Sequence, residues 1–217
     1  MRIIAIFFTG IFLVSPLAHA RPVSYPGGWT LILTNDVIQN SALAHYTLDT
    51  QHSLGLRIRH DREGDFIFTG AQLNRLVKRW NTADSQANLY ARIGVGAVSD
   101  NLDTSEMRED RGTDIGFFLD TSADWETRRY FTSATAQYWN NGRFGEISNF
   151  QGRLGVAPYI ANTGSIHTWL MVEGRYRPQN RNEVSAAILL RFFKGPALFE
   201  IGVDDAGEPL LNYTHRF

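Results

Sequence analysis

The feature that most constrains this sequence is a period-two alternation of apolar and polar residues, sustained over long runs. Ala87, Leu89, Ala91, Ile93, Val95 and Ala97 alternate with Asn88, Tyr90, Arg92, Gly94 and Gly96. Ile115, Phe117 and Leu119 alternate with Asp114, Gly116 and Asp120. Ile166, Thr168, Leu170, Val172, Gly174 and Tyr176 alternate with His167, Trp169, Met171, Glu173, Arg175 and Arg177. Val184 to Phe192 and Ala197 to Val203 continue the pattern. In a strand the two sets point to opposite faces, and helical spacing is scarce along the chain. Soluble strands average about 5–6 residues. Several runs here reach the roughly 9–11 that a tilted strand needs to cross a bilayer.

The runs segment as 28–35, 41–48, 53–60, 65–73, 86–98, 112–122, 127–139, 148–160, 166–177, 183–193, 197–204 and 208–217. Twelve antiparallel strands satisfy the even count of single-chain bacterial barrels, with ten as the alternative because the first four segments are short. Residues 74–85 read poorly as strand and are either a longer connection or a continuation of the fourth strand. Tyr130 and Tyr138 share a face, about 26 Å apart along an extended strand and about 20 Å after a tilt of roughly 40°, near the height of an apolar membrane band. Pro158 conflicts with an interior strand because it cannot donate to the ladder. With both termini on the periplasmic side, 122–126, 161–164 and 195–196 become short inner turns. The connections at 99–111, 140–148, 178–182 and 204–208 lie outside, and the first of these is long and acidic.

A leader precedes the strands. Arg2, an apolar run from Ile3 to Val14 and Ala18-His19-Ala20 have the layout of a secretory signal peptide cleaved after Ala20. The expected organisation is a signal peptide at 1–20 and one barrel domain at 21–217. The apolar run is too short to span a membrane as a helix. The chain holds no cysteine, which removes disulfides, thiolate metal sites and cysteine nucleophiles. A formal net charge of −1, without a basic block, argues against nucleic acid.

The sequence closes Leu211-Asn212-Tyr213-Thr214-His215-Arg216-Phe217. This resembles the closing strand of bacterial outer-membrane β-barrels, with Leu211, Tyr213 and Phe217 in the pattern's places and His215 where an apolar residue is commoner. The resemblance implies an outer-membrane location, recognition of those residues by the assembly machinery, and contact with outer-membrane lipid and lipopolysaccharide. No narrower family is indicated.

With the apolar face on lipid, the lumen face carries Arg57, Arg59, Arg92, Asp114, Asp120, Arg129, Gln137, Arg153, Glu173, Arg175, Arg177, Glu183, Arg191, Glu200 and Asn212. Hairpin geometry sets Arg191 against Glu200, Glu200 against Asn212, and Arg177 against Glu183. Two readings of these charges stand side by side. One is a self-satisfying ladder that plugs the barrel. The other, the working expectation, is a small passive channel for small solutes whose arginines favour anions. Its selectivity residues would be Arg153, Glu173, Arg175, Arg191 and Glu200. Whether Trp139, Tyr159, Trp169 and Phe193 close the lumen is not legible locally. A third reading is a lipid-modifying enzyme, since some small outer-membrane barrels hydrolyse or transfer acyl chains with a His-x-Ser strand. No such motif occurs. The reverse order at Ser165-Ile166-His167, with Glu173 on the same face, sits near the periplasmic side, so the expectation is no enzyme, no cofactor and no metal.

Overall fold

The computed structural model describes residues 25–100, 112–162, 164–179 and 183–217. The leader and most of the acidic outer loop therefore lie outside the described residues. No helix among these residues is long and apolar enough to cross a membrane.

Twelve strands form one closed antiparallel barrel: β1 (Trp29–Asn35), β2 (Gln39–Thr47), β3 (His52–Asp61), β4 (Phe66–Asn81), β5 (Ser85–Asp100), β6 (Thr113–Thr127), β7 (Tyr130–Asn140), β8 (Glu146–Val156), β9 (His167–Tyr176), β10 (Val184–Lys194), β11 (Ala197–Asp204) and β12 (Pro209–Arg216). Each strand pairs with its sequence neighbours, and β1 closes on β12 with Thr30 opposite Arg216. Closure leaves no sheet edge within the ring, which is what a strand protein needs inside hydrocarbon.

Two local expectations are corrected, and one left open is decided. Residues 74–81 are strand: β4 continues past Leu73 through an irregularity between Leu76 and Lys78. A bulge breaks the strict alternation there, which is why the period-two signal fails. Strand β6 runs to Thr127, so the inner turn lies at 128–129 and not at 122–126. Strand β8 ends at Val156, which places Pro158 in a connection and removes the ladder conflict.

The outer wall is apolar and exposed. Leu56, Ile58, Ile115, Leu154, Val184 and Ile188 are each more than half exposed. So continuous an apolar belt on a closed barrel is a lipid-facing surface. Aromatic side chains mark its borders. Trp29 and Tyr46 meet at 5.4 Å near the end that carries both termini, with Trp80, Trp125 and Tyr130 exposed at the same end. Phe150 stacks on Tyr176, 6.2 Å between centroids, towards the other end. Tyr138 shares the outer face with Tyr130, as the alternation requires, and packs beside Phe117. The chain is a twelve-stranded outer-membrane β-barrel.

Candidate functional site in the lumen

The lumen face holds two kinds of filling. The first is aromatic. Phe66, Phe68, Val98, Phe118, Trp139 and Ile147 form a buried cluster. Phe68 meets Trp139 edge-on at 5.2 Å, and Phe118 stacks on Trp139 at 4.3 Å. Backbone makes room for these rings. Gly70, Gly96 and Gly116 stand side by side on β4, β5 and β6. A Cβ on Gly96 would lie 2.3 Å from the Thr69 carbonyl oxygen. From β3, the Arg59 guanidinium covers the Trp139 ring at 4.3 Å and that of Arg57 lies over Phe118 at 5.6 Å. A smaller cluster of Met171, Ala187, Leu189 and Leu210, with Phe131 and Trp169 against it, fills the other side.

The second filling is ionic. Arg191 and Glu200 face each other across β10 and β11, and Glu200 faces Asn212 across β12, as hairpin geometry predicts. The Arg191 Nε donates to Glu200 Oε1 at 2.6 Å, and the Asn212 amide donates to Oε2 at 2.9 Å. Arg153 on β8 donates to Glu200 at 3.2 Å and to Glu173 at 2.5 Å. Arg175 donates to Glu173 at 2.6 Å and to Asp36 at 3.2 Å. All five proposed selectivity residues therefore belong to one network, joined by Asp36 and Asn212. A second network links Arg59 to Asp61 at 2.5 Å and Arg177 to Asp61 at 3.1 Å. In a third, Arg92 pairs with Asp120, which also accepts from Gln137 at 2.6 Å. Paired and hydrogen-bonded charges of this kind satisfy one another in a low-dielectric interior.

Several expected lumen residues end elsewhere. Register brings the Arg177 N–H to the Glu183 carbonyl at 2.7 Å, but Glu183 is exposed. The Arg177 guanidinium crosses to buried Asp61 instead, because a desolvated carboxylate holds an arginine more strongly than a solvated one. Arg129 is exposed in the turn between β6 and β7, since β6 outlasts its expected end. Asp114 accepts the Arg143 N–H at 2.9 Å and ties down the 141–145 connection. Of the bulky candidates, Trp139 packs in the aromatic cluster and Trp169 against the smaller one. Tyr159 is about half exposed, with its hydroxyl 2.8 Å from Thr168 Oγ1, and Phe193 lies 6.0 Å from His167. The role of Asp36 went unseen because it sits in a turn. Phe66 and Phe68 were visible only as one face of a short strand.

The expectation that the chain is no enzyme is withdrawn. It rested on a missing local motif, and a barrel assembles sites from residues far apart in sequence. Barrels of this class include enzymes, so the fold leaves catalysis open. The Ser165, His167 and Glu173 trio is not the place to look: both Glu173 oxygens are held by Arg153 and Arg175. No group of three metal-ligating side chains occurs among the described residues.

No family model and no curated protein matches the chain. Among solved structures it is similar to OmpTdeltaL8, a loop L8 deletion mutant of OmpT, an outer membrane protein of Vibrio cholerae. That match has 9% identity and a TM-score of 0.29, and covers 88% of this chain and 96% of that one. Strand count, closure, the apolar belt and its aromatic borders mark the chain as a membrane barrel.

Proposed function

We propose that this protein works as a closed outer-membrane barrel that presents its extracellular rim and lipid-facing wall to partners, in preference to an open pore. One observation carries the reading. The β3 and β9 strands stand six apart in a ring of twelve, directly across the lumen. Yet Arg177, at the end of β9, reaches Asp61 of β3 at 3.1 Å. A bond between opposite walls, above an aromatic cluster that is itself buried, supports a plugged barrel. Eight strands are just filled by side chains and sixteen leave a channel, so a twelve-stranded lumen needs such a filling to be closed.

Passive passage of small anions is the second reading. It is favoured by the side chains of Arg92, Arg153 and Arg191, which keep 14%, 17% and 15% exposure inside the lumen. Planar-bilayer recording separates the two. The refolded protein is expected to be silent, and Arg177→Gly combined with Trp139→Gly is expected to conduct. Regular anion-selective steps from the unaltered protein, abolished or reversed in Arg191→Glu, would establish the channel instead.

The proposal extends to delivery. The leader at 1–20 directs export, leaving residues 21–217 as one barrel domain. Leu211, Tyr213 and Phe217 on and beside the closing strand are read by the assembly machinery, and the outer loops meet lipopolysaccharide. Phe217→Ala should slow insertion in cells while leaving refolding in detergent intact.

A further inference from the structure

The bulge in β4 re-aims a cation towards lipid. Leu73 and Arg75 face outward, so strict alternation would next turn Val77 and Arg79 outward. The register shift between Leu76 and Lys78 instead sets Lys78 opposite Leu89 and Trp80 opposite Ala87, both outward residues of β5. Arg79 turns the other way, and its Nε donates to Asn88 at 2.7 Å. Arg75, Lys78 and Trp80 thus share the lipid-facing side, a re-aiming that bulges commonly provide. The Lys78 ammonium lies 5.1 Å from the centroid of the Trp80 ring, and Trp125 stands beyond Ala87 on β6. Indoles gather at the membrane–water border, so these cations sit at headgroup level, at the end that carries both termini. Neither Arg75 nor Lys78 forms an ion pair or a hydrogen bond among the described residues. The outward residues of β3 to β6 include no acid.

From Lys78 one register row runs across the outer wall. Leu89 faces Lys78, Ala123 faces Leu89, and Ala134, Gly152 and Gly174 follow in turn on β7, β8 and β9. This row floors an apolar groove of about 630 Å³ that reaches from Leu89 on β5 to Val184 on β10. The stacked Phe150 and Tyr176 rings line its far side. The barrel itself does not require the groove. A Cβ on Gly152 or Gly174 would meet nothing within 4 Å, and glycine weakens a strand interior. Neighbouring strands about 4.8 Å apart give a floor from β5 to β10 about 24 Å long. With a strand tilt of roughly 40°, that floor climbs about 15 Å, half of a hydrocarbon core about 30 Å thick. One acyl chain of one leaflet has that reach.

We propose that the groove holds one acyl chain of an anionic phospholipid of the periplasmic leaflet, with its phosphate against Arg75 and Lys78. Charge complementarity selects this occupant. The cations stand at the end of the groove's own register row, and a guanidinium fork beside an ammonium suits phosphate oxygens. The other outward strand residues, among those described, carry a lysine or arginine only at Lys194, the last residue of β10. The inference rests on the lipid-facing wall of the reading above and names a lipid that meets it. It does not depend on whether the lumen conducts, so bilayer recording and lipid binding can fail separately.

Native mass spectrometry of the refolded barrel in nonionic detergent tests this. The protein is titrated with palmitoyl-oleoyl phosphatidylglycerol and, separately, with the phosphatidylcholine of the same chains. One phosphatidylglycerol should be retained saturably, about tenfold more tightly than phosphatidylcholine, the scale expected for two cations at a membrane surface. Arg75→Gln combined with Lys78→Gln should remove that preference. Gly152→Leu, which fills the floor, should weaken retention of both lipids. All these substitutions lie on the exposed outer face, and heat-modifiable migration on gels checks that each variant is folded. Equal retention of the two lipids by the unaltered protein would overturn the proposal without recourse to any variant. So would a preference that survives loss of both cations, or retention that Gly152→Leu leaves unchanged. A dimer that excludes lipid and is lost in Gly152→Leu would make a second copy of the chain the occupant instead. Tighter retention of lipid A than of phosphatidylglycerol would move the site to the outer leaflet and overturn it as well.

Discussion

Individual lumen side chains differ sharply in what their loss should do. Glu200 accepts from Arg191, Arg153 and Asn212 while almost fully buried. Glu200→Gln keeps the shape and removes the charge, leaving two arginines facing a neutral amide. Breaking a buried pair costs about 3–5 kcal/mol, so a loss of that order is expected in urea unfolding of the micelle-bound barrel. Arg191→Glu, which sets two acids opposite each other, should cost at least as much. Glycines divide the same way. A Cβ on Gly96 would lie 2.4 Å from the Gly70 Cα, whereas one on Gly152 meets nothing within 4 Å. Gly96→Ala should therefore destabilise by about 1–3 kcal/mol, the usual overpacking range, and Gly152→Ala should fall within about 0.5 kcal/mol of zero. Equal effects from the two would show that the glycines serve the strand and not the plug.

At the scale of elements, turns and irregularities set where each strand stops. The inner turn between β2 and β3 is organised by Asp49, whose Oδ1 accepts the Gln51 N–H at 2.7 Å and the His52 N–H at 2.8 Å. The Gln51 N–H, and then the His52 side chain, hold the Asp49 carboxyl below the usual carboxylate range. A depressed value means the bond is more favourable to the charged form. Its contribution is present above the ordinary carboxylate pKa and is lost as pH falls through the lowered one. The protection of the Gln51 and His52 amides against hydrogen exchange, relative to their intrinsic rates, should fall over that window as pH drops, and Asp49→Ala should abolish that change. Protection that stays constant through the window would remove Asp49 from this role. The alternation located most strands within one or two residues. It missed the second half of β4 because the bulge at Leu76–Lys78 shifts the faces. It overran β8 because Pro158 follows the last ladder residue so closely.

For the whole molecule, closure is the property on which function turns. Trp139 touches Phe68, Phe118 and Arg59, which come from three other strands. Trp139→Ala should cost about 3–5 kcal/mol and, with the Arg177 bridge intact, should still not conduct. Conductance in that single variant would mean that the aromatic cluster alone is the seal. Twelve strands, their antiparallel order, the lipid-facing side and the Arg191, Glu200 and Asn212 row were all legible in the sequence. Each depends on residues two apart in the chain or facing across one hairpin, and pleat geometry makes such relations local. The plug was not legible. Arg177 meets Asp61 from 116 residues away, and Arg175 meets Asp36 from 139. Those meetings depend on the barrel's width and on the stagger of its strands, which exist only once the ring has closed. The sequence by itself determined a lipid-bounded barrel with a charged interior. Only the tertiary structure decided that the charges join hands across that interior, in pairs drawn from strands far apart in the sequence.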